Sequence, residues 1–284
     1  MKIYKTKHII KHKFYLVLLF LFFIVFIFFV KKTQRRSCQP VVNTIKVTFK
    51  EGLNIIEVAS ILEDNGIVPK DEFLKTCNLP AKFSNYWFLP KNCRKGRYYV
   101  LEGYLYPDTY YFFSNEDADS VLDKFLKNFE EKTKNLDLQS ETNLDNVITI
   151  ASVLQLESNP KDAARVASVI YNRIHTKKNG GISKFGEFGM NFLQLDSTVW
   201  YPYKNRSEAP VGFESNYDTY SIHGLPAGAV CSPSLEFIKS ALHPENTEYF
   251  YFCNDEKGNI FYAKKFNEHS KNLARIKSLS NISK

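Results

Sequence analysis

Residues 148–174 read ITIASVLQLESNPKDAARVASVIYNRI and describe two helices meeting at a corner. Ile150, Val153 and Leu154 precede Glu157 by seven, four and three residues, so the spacing places all of them on the face of Glu157. A carboxylate that continues an apolar stripe has two readings. It is a rim residue turning to water, or an acid held half-desolvated for chemistry. Ser158-Asn159-Pro160 closes the first helix, Asn159 is a candidate cap and Pro160 suits a first helical position. Val166, Val169, Ile170 and Ile174 form the buried stripe of the second helix, which Gly180-Gly181 ends. Apolar neighbours and the carbonyl end of the helix dipole both disfavour an anion at Glu157. Both effects raise a carboxyl pKa, as a general acid working near neutral pH requires.

Upstream, Ile45–Phe49 alternates apolar and polar as a half-exposed strand does. Ile55–Asn65 comes next with helical spacing, closed by Gly66, and Asp71–Cys77 is a second short helix. A unit of about forty residues is small for independent stability, so it is expected to pack on chain further along. Phe83–Phe113 is dense in aromatics, with Gly103 and Pro107-Asp108 as punctuation, and its period-two character predicts strands and a tight turn. These rings suit a core, and a few suit a saccharide cleft. Ser114–Asp117 resembles a helix start, with Val121, Leu122, Phe125 and Phe129 as the buried stripe of that helix. The next helix is expected to begin near Asp145 as its cap.

The net charge of +8 suggests a nucleic-acid partner until it is located. Residues 1–50 hold eleven Lys and Arg and no acid, which leaves 27 basic against 30 acidic residues beyond them. The basic excess is therefore a membrane address and not a phosphate-binding groove, and no nucleic-acid partner is expected. It flanks Phe14–Val30, seventeen consecutive apolar or aromatic residues, the short end for a membrane-spanning helix. A signal peptide is the rival reading, but no small-residue cleavage site comes after it. The slight charge bias puts residues 1–13 in the cytoplasm, with 31–43 as a linker on the other side. Five cysteines include no C-x-x-C pair, so no zinc or thioredoxin-type motif is offered. Bridges of Cys77 with Cys93 or Cys231 with Cys253, and free thiols, both remain open. His8 and His12 are the one histidine pair at helical spacing, in the basic tail where metal binding is not expected, and no phosphate loop or G-x-S-x-G elbow occurs.

Several ordered segments carry a resemblance. Leu101–Tyr110, LEGYLYPDTY, resembles the EGYLFPDTY signature of the MltG (YceG-like) endolytic murein transglycosylases. Ala151–Glu157 and Arg165–Arg173 are similar to that family's ASIVEKE segment and its continuation, and Leu193–Tyr201, LQLDSTVWY, is similar to LQTDPTVIY. Ser215–Tyr220 and Gly224–Gly228 resemble SPYNTY and GLPPGPI, and Tyr249–Phe252 with Phe266 and His269 resembles the closing strands.

The resemblance implies an α+β chain: a single N-terminal transmembrane helix (14–30), a small LysM-like αβ unit (44–80) and a mixed α+β catalytic domain (81–284). It implies an enzyme outside the plasma membrane that cleaves the bond between N-acetylmuramic acid and N-acetylglucosamine without water. The muramyl C6 hydroxyl attacks the anomeric carbon and leaves a 1,6-anhydromuramyl end. Glu157 matches the catalytic position, and Glu102, Tyr106, Gln194, Asp196, Thr198, Thr219 and Tyr220 match positions expected to bind substrate. No cofactor or metal is implied. The partners implied are peptidoglycan glycan strands, the plasma membrane and cell-wall synthases. A hydrolase would need a second carboxylate, for which Glu102 and Asp196 are candidates, although binding roles or fold-stabilising hydrogen bonds suit both better. A non-catalytic glycan-binding or scaffold protein of the same fold is a third reading.

The sequence departs from the pattern in three places. Gln155 stands where the family has the first acid of a glutamate pair. Lys177–Phe192 is long and Gly-rich where a short hairpin is usual, which reads as a lid or a plain loop. Ala227, Ala229, Ser232 and Ser234 replace the usual Pro, Pro, Asn and Gly.

Overall fold

In a computed structural model, residues 22–24, 26, 44–141, 143–174 and 192–282 are described. Residues 1–43 form one unit and Thr44–Lys284 another. Of the expected span Phe14–Val30 only residues 22–24 and 26 are described, as helix, and the rest lies outside the described residues. Among the described residues no helix is long and apolar enough to cross a membrane.

The second unit is mixed α+β. Strand β1 (Ile45–Thr48) leads into α1 (Ile55–Asp64) and α2 (Lys70–Thr76). At the start of α1, the Asn54 side chain accepts from the Glu57 N–H and the Glu57 carboxylate accepts from the Asn54 N–H, a reciprocal cap. The aromatic stretch beyond α2 is mostly turns and a 3₁₀ segment (Pro80–Phe83), and its one strand is β2 (Thr109–Phe112). Period-two structure is therefore confined to the end of that stretch. Elsewhere the rings stand in irregular chain and pack on one another and on the next helix, as Phe88 and Tyr104 do with each other and with Phe129 at 4.8–6.1 Å. β2 pairs antiparallel with β1, Val47 facing Tyr110, so residues 44–80 share a sheet with chain that comes later. Helix α3 (Ala118–Thr133) covers that sheet, and Phe125 packs on Phe49 and Tyr110 at 5.1 and 4.5 Å. Its cap is Asp117, three residues beyond the expected start, because that side chain accepts from the Asp119 and Ser120 N–H groups.

Helix α4 (Leu144–Glu157) and α5 (Ala163–Ile174) make the expected corner. α4 has no wet face: Leu144 and every residue from Val147 to Leu154 are buried. Past its first turn the expected stripe is thus an enclosed helix that emerges at Gln155, Leu156 and Glu157. Asn143 and not Asp145 caps it, its side chain accepting from the Asn146 N–H. Asp145 has another partner. Buried Arg97 bonds both its oxygens, at 2.7 and 2.8 Å, and the Tyr104 hydroxyl donates to it at 3.1 Å. At the corner, Asn159 accepts from the Lys161 and Asp162 N–H groups, so 160–162 form a turn and the second helix starts at Ala163.

The short helix α6 (Asp196–Val199) comes next, then α7 (Leu235–Leu242), which packs on α4 and α5. The chain closes with the hairpin β3 (Tyr251–Asn254) and β4 (Ile260–Ala263), covered by α8 (Phe266–Ile282). Cys77, Cys93, Cys231 and Cys253 are all free thiols.

Gly103 ties the aromatic segment to α4. Its φ is +90°, and a Cβ there would lie 2.7 Å from Ile148 Cγ2 and 2.6 Å from Ala229 Cβ. Neither backbone conformation nor space admits a side chain. Gly103→Ala is expected to cost about 2–3 kcal/mol, lowering the thermal midpoint by roughly 5–10 °C in a calorimetric melt. An unchanged midpoint would mean that α4 and Ala229 are not pressed against this turn.

Candidate active site

Glu157 is the last residue of α4, where burial gives way to a cleft of about 1070 Å³. Two contacts fix it. Its backbone carbonyl accepts from Asn254 Nδ2 at the end of β3, at 3.0 Å. Its carboxylate Oε1 accepts from the Ser197 N–H at 3.2 Å, one of the first-turn donors that a short helix leaves unsatisfied. The Ser197 hydroxyl lies beside the same carboxylate, buried and without a partner of good hydrogen-bond geometry. Burial pushes the Glu157 carboxyl above the ordinary range, the Ser197 contacts oppose this, and the nearby Asp196 charge adds to it. The direction is the one expected of a general acid, with desolvation as the main cause.

Asp196 opens α6 and is exposed to the cleft. The Tyr220 hydroxyl donates to its Oδ1 at 2.7 Å. Two buried threonines set this pair in place. Thr219 Oγ1 accepts from the Leu195 N–H at 2.8 Å and lies 2.9 Å from Thr198 Oγ1, which donates to the Leu195 carbonyl. Gln194 donates its N–H to the Thr219 carbonyl and holds a φ of +53°. Its side-chain oxygen accepts from Arg173 at 3.3 Å. Gln194, Asp196 and Tyr220 therefore reach the cleft together with Glu157, while Thr198 and Thr219 hold their backbone from behind.

Glu102 and Tyr106 lie elsewhere. Glu102 is fully buried and outside the cleft lining. Its Oε2 accepts from the Ile55 N–H at 2.9 Å, at the start of α1, and from the Tyr201 hydroxyl at 2.8 Å. Tyr106 is buried with Lys132 Nζ 5.8 Å from its ring centroid. Both serve the packing between segments distant in sequence. Gln155, the departure from the family's acid pair, accepts from the Ser234 N–H at 2.9 Å.

The cleft also contains residues that have no site role on sequence grounds: Arg173, Tyr251, Asn254 and His269. Arg173 is buried and donates to the Phe192 carbonyl at 2.5 Å. A charged residue beside Ile174 on the stripe of α5 is the one sequence signal for it. Nothing local marks Ser197 or Asn254, whose roles arise from contacts 40 and 97 residues away. Of the long segment Lys177–Phe192, only Phe192 is described, in a parallel bridge to Gly224. Among the described residues, no group of three or more His, Cys, Asp and Glu side chains is placed to hold a metal ion.

An enclosed helix delivering one acid into a cleft can be compared with known proteins. The sequence matches the YceG-like family over residues 29–275. The chain belongs to that family. It is 26% identical over 246 residues to an endolytic murein transglycosylase of Bacillus subtilis, covering 80% of this chain and 63% of the relative. It is 29% identical over 192 residues to an endolytic murein transglycosylase of Streptococcus pneumoniae, covering 63% of this chain and 33% of the relative. The chain thus spans under two thirds of the length of these relatives. A crystal structure of a yceG-like protein from Listeria monocytogenes superposes with a TM-score of 0.65 at 26% identity, covering 86% of this chain and 80% of that one.

Burial raises the Glu102 carboxyl to about 7, against the hydrogen bonds from Ile55, Tyr201 and Gly103 that lower it. The folded chain therefore keeps a proton at a pH where the unfolded chain has released it, so raising the pH favours unfolding. Between about pH 4.5 and 7 this one group should withdraw on the order of 3 kcal/mol of stability. Denaturant titrations across pH 4–8 should show wild type losing stability relative to Glu102→Gln as the pH rises. A constant difference between the two proteins would show that Glu102 does not titrate in that window.

Proposed function

We propose that this YceG-like protein is a lytic transglycosylase of peptidoglycan, cleaving between N-acetylmuramic acid and N-acetylglucosamine with Glu157 as its acid and base. The observation that carries this is the placement of Glu157: a half-buried carboxyl with a raised pKa, held by the Ser197 N–H at the edge of a cleft of about 1070 Å³. Family membership and the relatives named endolytic murein transglycosylase support the substrate class. Protonated Glu157 gives its proton to the leaving glycosidic oxygen as the C1–O bond breaks. Its anion then takes the proton from the muramyl C6 hydroxyl as that oxygen bonds to C1, closing the 1,6-anhydro ring. One carboxyl suffices because water is not a reactant. Gln194, Asp196 and Tyr220 bind the glycan in this reading, and Glu102, Tyr106, Thr198 and Thr219 support the site through the fold.

Phe14–Val30 is proposed as a membrane anchor with residues 1–13 in the cytoplasm, and residues 44–80 as a LysM-like unit ahead of the catalytic part, 81–284. The substrate would then be glycan strands at the outer face of the plasma membrane, beside the synthases that make them. A hydrolytic muramidase is the second reading. The feature that favours it is Asp196, which shares the cleft and electrostatically couples to Glu157.

Glu157→Gln is expected to lower the rate of glycan release about 1000-fold or more while leaving the thermal midpoint within about 2 °C of wild type. Full activity in that variant would remove Glu157 from the chemistry. Asp196→Asn removes a negative neighbour, so the Glu157 pKa should fall and the alkaline limb of the pH–rate profile should move to lower pH. A limb that stays in place, or moves up, would contradict the electrostatic coupling.

A further inference from the structure

His269, on the first turn of α8, lines the same cleft as Glu157 and has no part in the proton transfers of Glu157. Its ring is stacked on Tyr251 at 5.2 Å and 23°, with Phe266, three residues earlier on the helix, at 6.4 Å. Burial and the Arg173 charge both hold its pKa below the ordinary histidine value, so the ring is neutral at pH 7. A neutral imidazole carries one N–H, and the environment decides where. Nδ1 is buried and meets no hydrogen-bond partner. A buried N–H left without an acceptor is rarer and costlier than an acceptor left without a donor, which assigns the proton to Nε2. Nε2 is the other ring nitrogen, on a side chain that lines the cleft. His269 therefore presents a fixed hydrogen-bond donor there, aimed by ring stacking and not by a polar partner. Beside it, Phe266 is 66% exposed and also lines the cleft, a flat apolar face against a single donor.

Strand β3 links the His269 stack to the end of α4. Asn254 at one end bonds the Glu157 carbonyl, and Tyr251 at the other carries the His269 stack. Three residues of strand separate them by about 10 Å. The His269 stack and the Glu157 backbone are thus fastened at opposite ends of one short strand.

We propose that His269 and Phe266 form a remote subsite for an N-acetyl sugar, the imidazole Nε2–H donating to the acetamido carbonyl oxygen while Phe266 stacks on the sugar's apolar face. This deepens the glycan reading of the cleft and rests on it. The subsite takes a neutral acetamide, and it supplies binding energy away from the reacting bond.

The test measures binding, not turnover. In the full chain carrying Glu157→Gln, titrate peptide-free peptidoglycan glycan strands and the same strands after chemical N-deacetylation. Add His269→Leu, His269→Gln and Phe266→Ala in turn. His269→Leu should weaken binding of the acetylated strands by roughly three- to tenfold, one hydrogen bond's worth, and change the deacetylated strands much less. His269→Gln, whose amide nitrogen reaches the place of Nε2, should restore most of the loss. Phe266→Ala, at an exposed ring, should weaken both strands alike. Equal losses from His269→Leu on both strands, or no rescue by Gln, would overturn the acetamide assignment. If the parent variant binds acetylated strands but neither His269→Leu nor Phe266→Ala affects this, the subsite is refuted and the glycan reading stands. No binding by the parent variant refutes the glycan reading and the subsite with it.

Discussion

A helix without a wet face is the constraint on which this fold depends. Eight consecutive residues of α4, from Val147 to Leu154, are buried, so the chain must enclose the helix on every side. Each Val, Leu or Ile withdrawn from water contributes about 1.5–3 kcal/mol, and the neighbours that supply the enclosure come from far apart in sequence. The Gly103 turn presses on Ile148, the irregular chain at Ala229 presses on Gly103, and α5 and α7 close the remaining sides. Arg97 Nη1, bonded to both Asp145 oxygens, fastens the N-terminal end of the helix in a largely buried ion pair. At its C-terminal end the enclosure leaves the last turn uncovered, and the last residue is Glu157.

Enclosure therefore bears on the proposed chemistry as well as on the stability. A carboxyl at the mouth of an apolar interior has lost part of its hydration, which raises its pKa, and it remains within reach of a ligand in the cleft. Only one N–H, from Ser197, is placed to compensate the anion with good geometry among the described residues, so the anionic form is stabilised enough to exist without being strongly favoured. An acid that must both lose and regain a proton in one turnover benefits from that balance. Glu102 is a contrasting case in the same molecule. It is more deeply buried and better hydrogen-bonded, and its contacts with Ile55 and Tyr201 serve the assembly of the fold.

Local pattern makes the corner legible: apolar spacing sets both helices, and Glu157 stands out as an acid on an apolar face. Long-range contacts are not legible. Asp145 looks like a cap because it stands near the start of α4, yet Asn143 has the capping geometry and Asp145 is drawn to Arg97, 48 residues earlier. The tyrosines and phenylalanines of 83–113 alternate like a strand, but ring packing against α3 holds much of that stretch in turns. In the same way, Glu102, Tyr106, Thr198 and Thr219 match family motifs without lining the cleft, because a motif records a position and not its exposure. Ser197 reaches Glu157, and Asn254 and His269 reach the cleft, only because α6, β3 and α8 are folded against the end of α4.

The central claim is that one carboxyl, Glu157, cleaves the glycan with no water consumed. Mass spectrometry of the fragments released from purified peptidoglycan glycan strands tests it most directly. Every new muramyl end should be a 1,6-anhydro end, lighter by one water than a reducing end, and none should appear with Glu157→Gln. Reducing muramyl ends from the wild-type protein would contradict the account and make Asp196 the partner of Glu157 in a hydrolysis.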